Sequence, residues 1–157
     1  MYPDRTGGGG YAVVSPSEGE IVAKKFYEMG YQTASAKPNA VILSYPVITS
    51  GDCAHRGSFT ALLGADASEE ELEYISLEKQ VTEDMPPCFL WQTATDELVP
   101  VQNSFLFAQA LQEKKIPYAF HVFSKGKHGL SLADEACANE EVKQWPELAD
   151  EWIRTTL

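Results

Sequence analysis

The chain has 157 residues, 44% of them hydrophobic and 22% charged, and its 12 basic against 23 acidic side chains leave a formal net charge of −11. That length suffices for one domain burying roughly 70% of its unfolded surface, and the composition is that of a globular protein. The acidic surplus argues against a nucleic-acid or anionic-membrane surface; with no bilayer-length apolar run and no signal-peptide pattern at the start, a cytoplasmic location is expected.

Gly7, Gly8, Gly9 and Gly10, followed by Tyr11, form the first distinctive stretch. A glycine run lets backbone N–H groups converge on one oxygen, as an oxyanion hole requires, and would equally make a flexible linker. No Gly-Lys-Ser/Thr follows, so it is not a P-loop. Ser17 ahead of Glu18 and Glu20 has the character of an N-cap. The helix it opens carries Val22, Phe26 and Met29 on one side and stops at Gly30. Residues 40–45 (AVILSY) read as a buried strand ending at Pro46, and residues 49–60 as a polar loop. Residues 68–80 read as an acidic helix capped by Ser68, with Leu72, Ile75 and Leu77 for packing.

The C-terminal half carries the strongest pattern. Residues 88–93 (CFLWQT) are short, bulky and preceded by Pro86-Pro87, which marks a strand. Residues 101–114 set Phe107, Ala110, Leu111 and Lys114 at helical spacing, widened by Leu106 and stopped by Pro117. Residues 118–123 (YAFHVF) form another strand, so the three make a βαβ unit with parallel strands. The final stretch, 145–157, places Leu148, Ala149, Trp152 and Ile153 on one side of a closing helix.

This topology has a chemical consequence. Asp96 lies just past the first strand of the unit and His128 just past the second. Parallel neighbours bring both to the C-terminal edge of the sheet, where open α/β sheets bind ligands. Singly, Asp96 would be a turn residue and His128 a loop histidine. Together they have the chain order and placement of the acid and base of a Ser-His-Asp site. Ser44 lies inside a strand and lacks the exposed turn a nucleophile needs. The three cysteines, Cys53, Cys88 and Cys137, form no C-x-x-C pair, and His55 and His121 lack metal-ligand spacing, so no metal site is expected. Cys88 reads as a small core hydrophobe and His121 as a sheet-face residue.

Three motifs, D-E-L-V-P from Asp96, N-S-x-x-F-A-x-A-L from Asn103 and H-x-F-x-x-G-x-H-G from His121, resemble the acid-to-histidine segment of small α/β-hydrolase esterases, in their acetyl-esterase and acetylxylan-esterase-like branch. Residues 41–64 resemble the strand and insert upstream of that segment, and residues 7–31 its glycine-rich oxyanion loop and first helix. The blocks meet near residues 33–37. The strand, helix and G-x-S-x-G elbow that the branch carries there have no counterpart, and no serine of this chain lies in a G-x-S-x-G context.

The resemblance implies one α/β domain over residues 1–157: a three-layer α/β/α core with a mostly parallel sheet, shortened in its middle. It implies hydrolysis of short-chain carboxylic esters, acetylated sugars among them, without a cofactor. Asp96 and His128 would be catalytic, Gly8, Gly9 and Gly10 would supply oxyanion donors, and Tyr11, Tyr45 and Pro46 would line the substrate pocket. The alternative is a non-catalytic member acting as a binding or self-associating module. Exposed sheet edges make a homo-oligomer the expected assembly in either case.

Overall fold

The computed structural model of the chain describes residues 20–30, 38–134 and 139–157. Strand β2 (Cys88–Thr93) runs between β1 (Val41–Ser44) and β3 (Tyr118–Phe123) in a three-stranded sheet ordered β1-β2-β3. Both pairings are parallel, with Val41 opposite Cys88 and Cys88 opposite Tyr118. Thr93 stands opposite Phe123, so β2 and β3 end level with each other.

Side chains alternate across a strand, and β2 is buried on both faces. Phe89 and Trp91 point to one side, where they pack with Phe26 of α1 (Glu20–Glu28), Phe123, and Trp145 and Ala149 of α5 (Trp145–Thr156). Trp91 stacks on Trp145 with ring centroids 5.3 Å apart, and Trp145 meets Phe26 at 5.7 Å. Cys88 and Leu90 point to the other side, against Phe107 and Leu111 of α4 (Gln102–Glu113), Ile48, Val81 and Ile116. The result is three layers, with α1 and α5 over one face and α4 over the other. Each fully buried large apolar side chain contributes on the order of 1.5–3 kcal/mol. Cys88 is fully buried, and burial pushes its thiol up to about 11, consistent with a packing residue. His121 lies half-buried on the sheet with its ring stacked 5.1 Å from Phe89, and burial lowers its imidazole.

The βαβ unit matches its sequence pattern closely, and Gly30 closes α1 at φ 97°, a conformation that glycine adopts without penalty. Three expectations need correction. The polar loop expected over 49–60 gives way at its end to helix α2 (Arg56–Leu63), anchored by buried Phe59 and Ser58. The polar letters around Phe59 conceal that anchor. The helix expected over 68–80 breaks into α3 (Glu69–Tyr74) and a 3₁₀ turn at Leu77–Lys79. Its start is capped by Ser68 as expected, and the structure adds the reciprocal bond from Glu71 that makes a capping box. At its end the Oγ of buried Ser76 takes the Leu72 carbonyl at 3.1 Å, where a continued helix would place the Ser76 amide, and accepts from Ser50 N at 3.0 Å.

The third correction concerns α4, where Leu106 is 37% exposed while Asn103 and Ser104 are fully buried. Asn103 Oδ1 accepts from Ile48 N at 2.9 Å and Thr49 N at 3.1 Å, and its Nδ2 donates to the carbonyls of Cys53 and Pro100. One amide side chain thus ties the loop after β1 to the start of α4.

Candidate active site

β2 delivers Asp96 through the turn Ala94-Thr95. The Asp96 side chain is 1% exposed, and its two oxygens have separate tasks. Oδ1 accepts from Leu98 N at 3.0 Å and Val99 N at 2.9 Å, which fixes the carboxylate to its own turn. Oδ2 accepts from Nδ1 of His128 at 2.8 Å. A carboxylate only accepts, so the proton of this bond belongs to Nδ1 and the lone pair of a neutral ring lies on Nε2. Burial works to raise the Asp96 carboxyl. The hydrogen bonds from His128, Val99 and Leu98 and the charge of His128 outweigh it and hold the group below the ordinary carboxylate range.

A buried polar chain lies beneath the acid. Ser104 Oγ donates to Gln92 Oε1 at 2.5 Å, and Gln92 Nε2 donates to the Val99 carbonyl at 2.5 Å and reaches Asp96 Oδ2 at 3.5 Å. Sequence reasoning missed both residues; the signal was a glutamine directly after the apolar run CFLW, which a buried position tolerates only when hydrogen-bonded.

β3 delivers His128 through a loop pinned to the end of β2. Thr93 Oγ1 and Thr95 Oγ1 donate to the Gly126 carbonyl at 2.8 and 3.1 Å, and Gly126 N donates back to Thr95 Oγ1 at 2.9 Å. The approach is so close that a Cβ on Gly126 would lie 2.6 Å from Thr93 Cγ2 and 2.7 Å from Leu130 Cδ1. A side chain there would have to displace Thr93 or Leu130.

Asp96 and His128, predicted from separate loops, are therefore brought into hydrogen-bond contact. Next to them lies a cleft of about 460 Å³ lined by Thr95, Glu97, Leu98, Gly126, Lys127 and His128. A larger cavity of about 570 Å³, lined by Lys25, Asp134, Lys143 and Glu151 among others, does not include the pair, whereas His128 lines the smaller one. Tyr45 and Pro46 do not line the cleft. Tyr45 is 8% exposed and packs inward, edge-on to His128 with ring centroids 4.8 Å apart. Gly8, Gly9, Gly10 and Tyr11 lie outside the described residues.

A serine–histidine contact occurs elsewhere, between His55 Nδ1 and Ser58 Oγ at 2.9 Å. Ser58 is 2% exposed inside the first turn of α2, so this contact is local helix chemistry and offers no accessible nucleophile. No group of histidine, cysteine and acidic side chains suited to a metal occurs among the described residues, and no described helix is long and apolar enough to cross a membrane.

Known proteins agree with this architecture. Residues 42–155 match the profile of the prolyl oligopeptidase family. The chain is 57% identical over 105 residues to endo-1,4-beta-xylanase B of Butyrivibrio fibrisolvens, a match covering 67% of this chain and 16% of that protein. It is 40% identical to an acetyl ester-xyloside bifunctional hydrolase from Caldicellulosiruptor lactoaceticus, with a TM-score of 0.71 over 75% of this chain and 42% of that one. A carboxylesterase from Lactobacillus plantarum aligns at 28% identity and a TM-score of 0.60, over 95% of this chain and 56% of that one. The chain thus spans well under two thirds of each of these three relatives. With its parallel sheet between helical layers and a profile match over most of its length, the chain belongs to the prolyl oligopeptidase family and has a shortened α/β-hydrolase core.

Proposed function

We propose that this chain carries the acid–base half of a carboxylic ester hydrolase acting on short-chain acyl esters, with acetylated sugars as the favoured substrates. The observation that carries the reading is the 2.8 Å bond from His128 Nδ1 to a buried Asp96. It leaves Nε2 free to take a proton from a serine hydroxyl as that oxygen attacks the acyl carbon, and then to protonate the leaving alcohol. Asp96 stays ionised throughout and keeps the imidazole in the Nδ1–H tautomer. The N–H groups of Gly8, Gly9 and Gly10 would receive the oxyanion, each donor lowering the barrier by about 2.7–4 kcal/mol. Water then cleaves the acyl-serine by the reverse proton path. The sugar ester is favoured by the relatives, one an acetyl ester-xyloside hydrolase and another a xylanase, and by a cleft that mixes Thr95, Glu97 and Lys127 with apolar Leu98.

A second reading rests on the absence of any G-x-S-x-G serine: the chain is a non-catalytic binding or self-associating module that keeps the pair as a relic. β1 and β3 each have one edge without a strand partner among the described residues, and such edges favour pairing with a second copy. A monomer in sedimentation at micromolar concentration would remove the self-association.

Covalent labelling by a fluorophosphonate probe, read by intact mass on wild type and His128→Ala, decides between the two. Stoichiometric labelling that His128→Ala abolishes supports the hydrolase, and peptide mapping then names the serine. A folded protein that takes no label leaves the non-catalytic module.

A further inference from the structure

Tyr45 sits where β1 ends, and its backbone is unusual. Its φ is 39°, in the left-handed region that bulky side chains rarely enter and that persists only where surrounding contacts enforce it. Those contacts come from both elements of the candidate site. Tyr45 N donates to the Trp91 carbonyl on β2 at 2.8 Å, so the strained residue remains tied to the sheet. The phenol ring meets Trp91 edge-on at 4.9 Å and the His128 imidazole edge-on at 4.8 Å. Its hydroxyl oxygen accepts from Ser131 N at 3.1 Å, in a buried contact.

The loop that carries His128 is itself bent by residues in the same left-handed region, Gly129 at φ 75° and Ser131 at φ 53°. The amide that Tyr45 holds thus belongs to the bend that aims the histidine. Ser131 is further fixed by its carbonyl, which accepts from Trp145 Nε1 at 2.8 Å. The His128 side chain is 24% exposed, so one part of the ring faces the cleft while another rests on Tyr45.

From this geometry we infer that Tyr45 is a positioning residue for His128: its ring sets the plane of the imidazole, and its hydroxyl holds the loop so that Nδ1 meets Asp96 in one orientation. Tyr45 would act on the reaction only through the histidine, and this use of the clamp rests on the ester-hydrolase reading. An orientation defined by the Asp96 bond alone leaves the ring free to rotate about that bond. Contact with a second, rigid ring removes that freedom, and rigid support is what a catalytic group needs to keep its aim.

The test is NMR of the ¹⁵N-labelled chain, following the His128 Nδ1–H proton, which Asp96→Asn identifies by its loss. In Tyr45→Phe, which keeps the ring and removes the hydroxyl, exchange of this proton with solvent should speed up by roughly five- to thirty-fold, the factor expected for one lost buried hydrogen bond. In Tyr45→Leu the resonance should disappear, while the ring signals of His121, packed on Phe89, stay in place as a control for folding. If Tyr45→Leu does not fold, Tyr45→Phe decides alone. An Nδ1–H resonance with wild-type position and exchange in folded Tyr45→Phe overturns the clamp and leaves the Asp96–His128 pair standing. Absence of any Asp96-dependent resonance in the wild type overturns the pair, and the clamp with it.

Discussion

The two members of the pair are held in different ways, one by bonds to its own side chain and the other through its loop. Asp96 is positioned by directional hydrogen bonds from the α4 side of the sheet: two turn amides on one oxygen, with Gln92 and Ser104 beneath. His128 is positioned through its loop: Thr93 and Thr95 bond Gly126, the Tyr45 hydroxyl accepts from Ser131 N, and the Tyr45 ring packs against the imidazole. A carboxylate has oxygens that can be satisfied one by one, so polar contacts suffice to fix it. An imidazole that must keep one nitrogen free can be bonded only at the other, and shape has to supply the rest of its orientation. The two faces of β2 differ accordingly, with Phe89 and Trp91 toward α5 and Gln92 at the upper end toward α4.

The largest effect should come from breaking the aromatic face. Trp91→Ala removes a fully buried ring that touches Tyr45, Phe123 and Trp145. Urea unfolding should show a loss of about 3–5 kcal/mol, and a loss under 1 kcal/mol would mean that the face is not close-packed. Next comes the polar side. Asn103→Ala strands two buried amides and the Cys53 carbonyl, while the Pro100 carbonyl keeps its bond from the residue 103 amide, and it should lower stability by roughly 2–4 kcal/mol. Because Asn103 supports the turn at Pro100, that variant should disturb Asp96 more than His128, a difference visible in backbone amide shifts of Leu98 and Val99.

Gly126→Ala sharpens the contrast from the other direction. The new methyl group has no room, so overpacking of about 1–3 kcal/mol is expected. The displaced loop should weaken the His128 Nδ1–H resonance while the Leu98 and Val99 amides keep their shifts. Equal disturbance of both halves would refute the idea that acid and base are held separately.

The smallest expected effect is on pH dependence. The folded-state carboxyl of Asp96 lies below its unfolded value near 3.9. Its contribution to stability is therefore complete above that value and is lost as the pH falls through the lower, folded one. The stability gap between wild type and Asp96→Asn should be widest near neutrality and should close in strong acid. A gap that widens on acidification would contradict the direction of the shift.

Much of this fold was legible because its strongest signals are local. The run CFLWQT, the helical spacing from Gln102 to Glu113 and the run YAFHVF each declare their own type, and the rule for parallel crossovers then puts Asp96 and His128 at one edge. The Ser68–Glu71 cap is equally local. What the letters around Phe59 and Ser76 concealed depends on distant partners: a burial site for one and a bond to Ser50 for the other. The same holds for the finer parts of the site. Tyr45 and Ser131 are 86 positions apart, and Thr93 and Gly126 are 33 apart.

Sequence by itself thus determined the βαβ unit, the shared edge and the acid-then-histidine order, since these follow from periodicity and chain direction. Tertiary structure alone decided that Tyr45 would turn inward, that Gln92 would lie under the acid and that Gly126 would have no room for a side chain. Those outcomes depend on which surfaces meet once the layers close, and no short-range pattern encodes them.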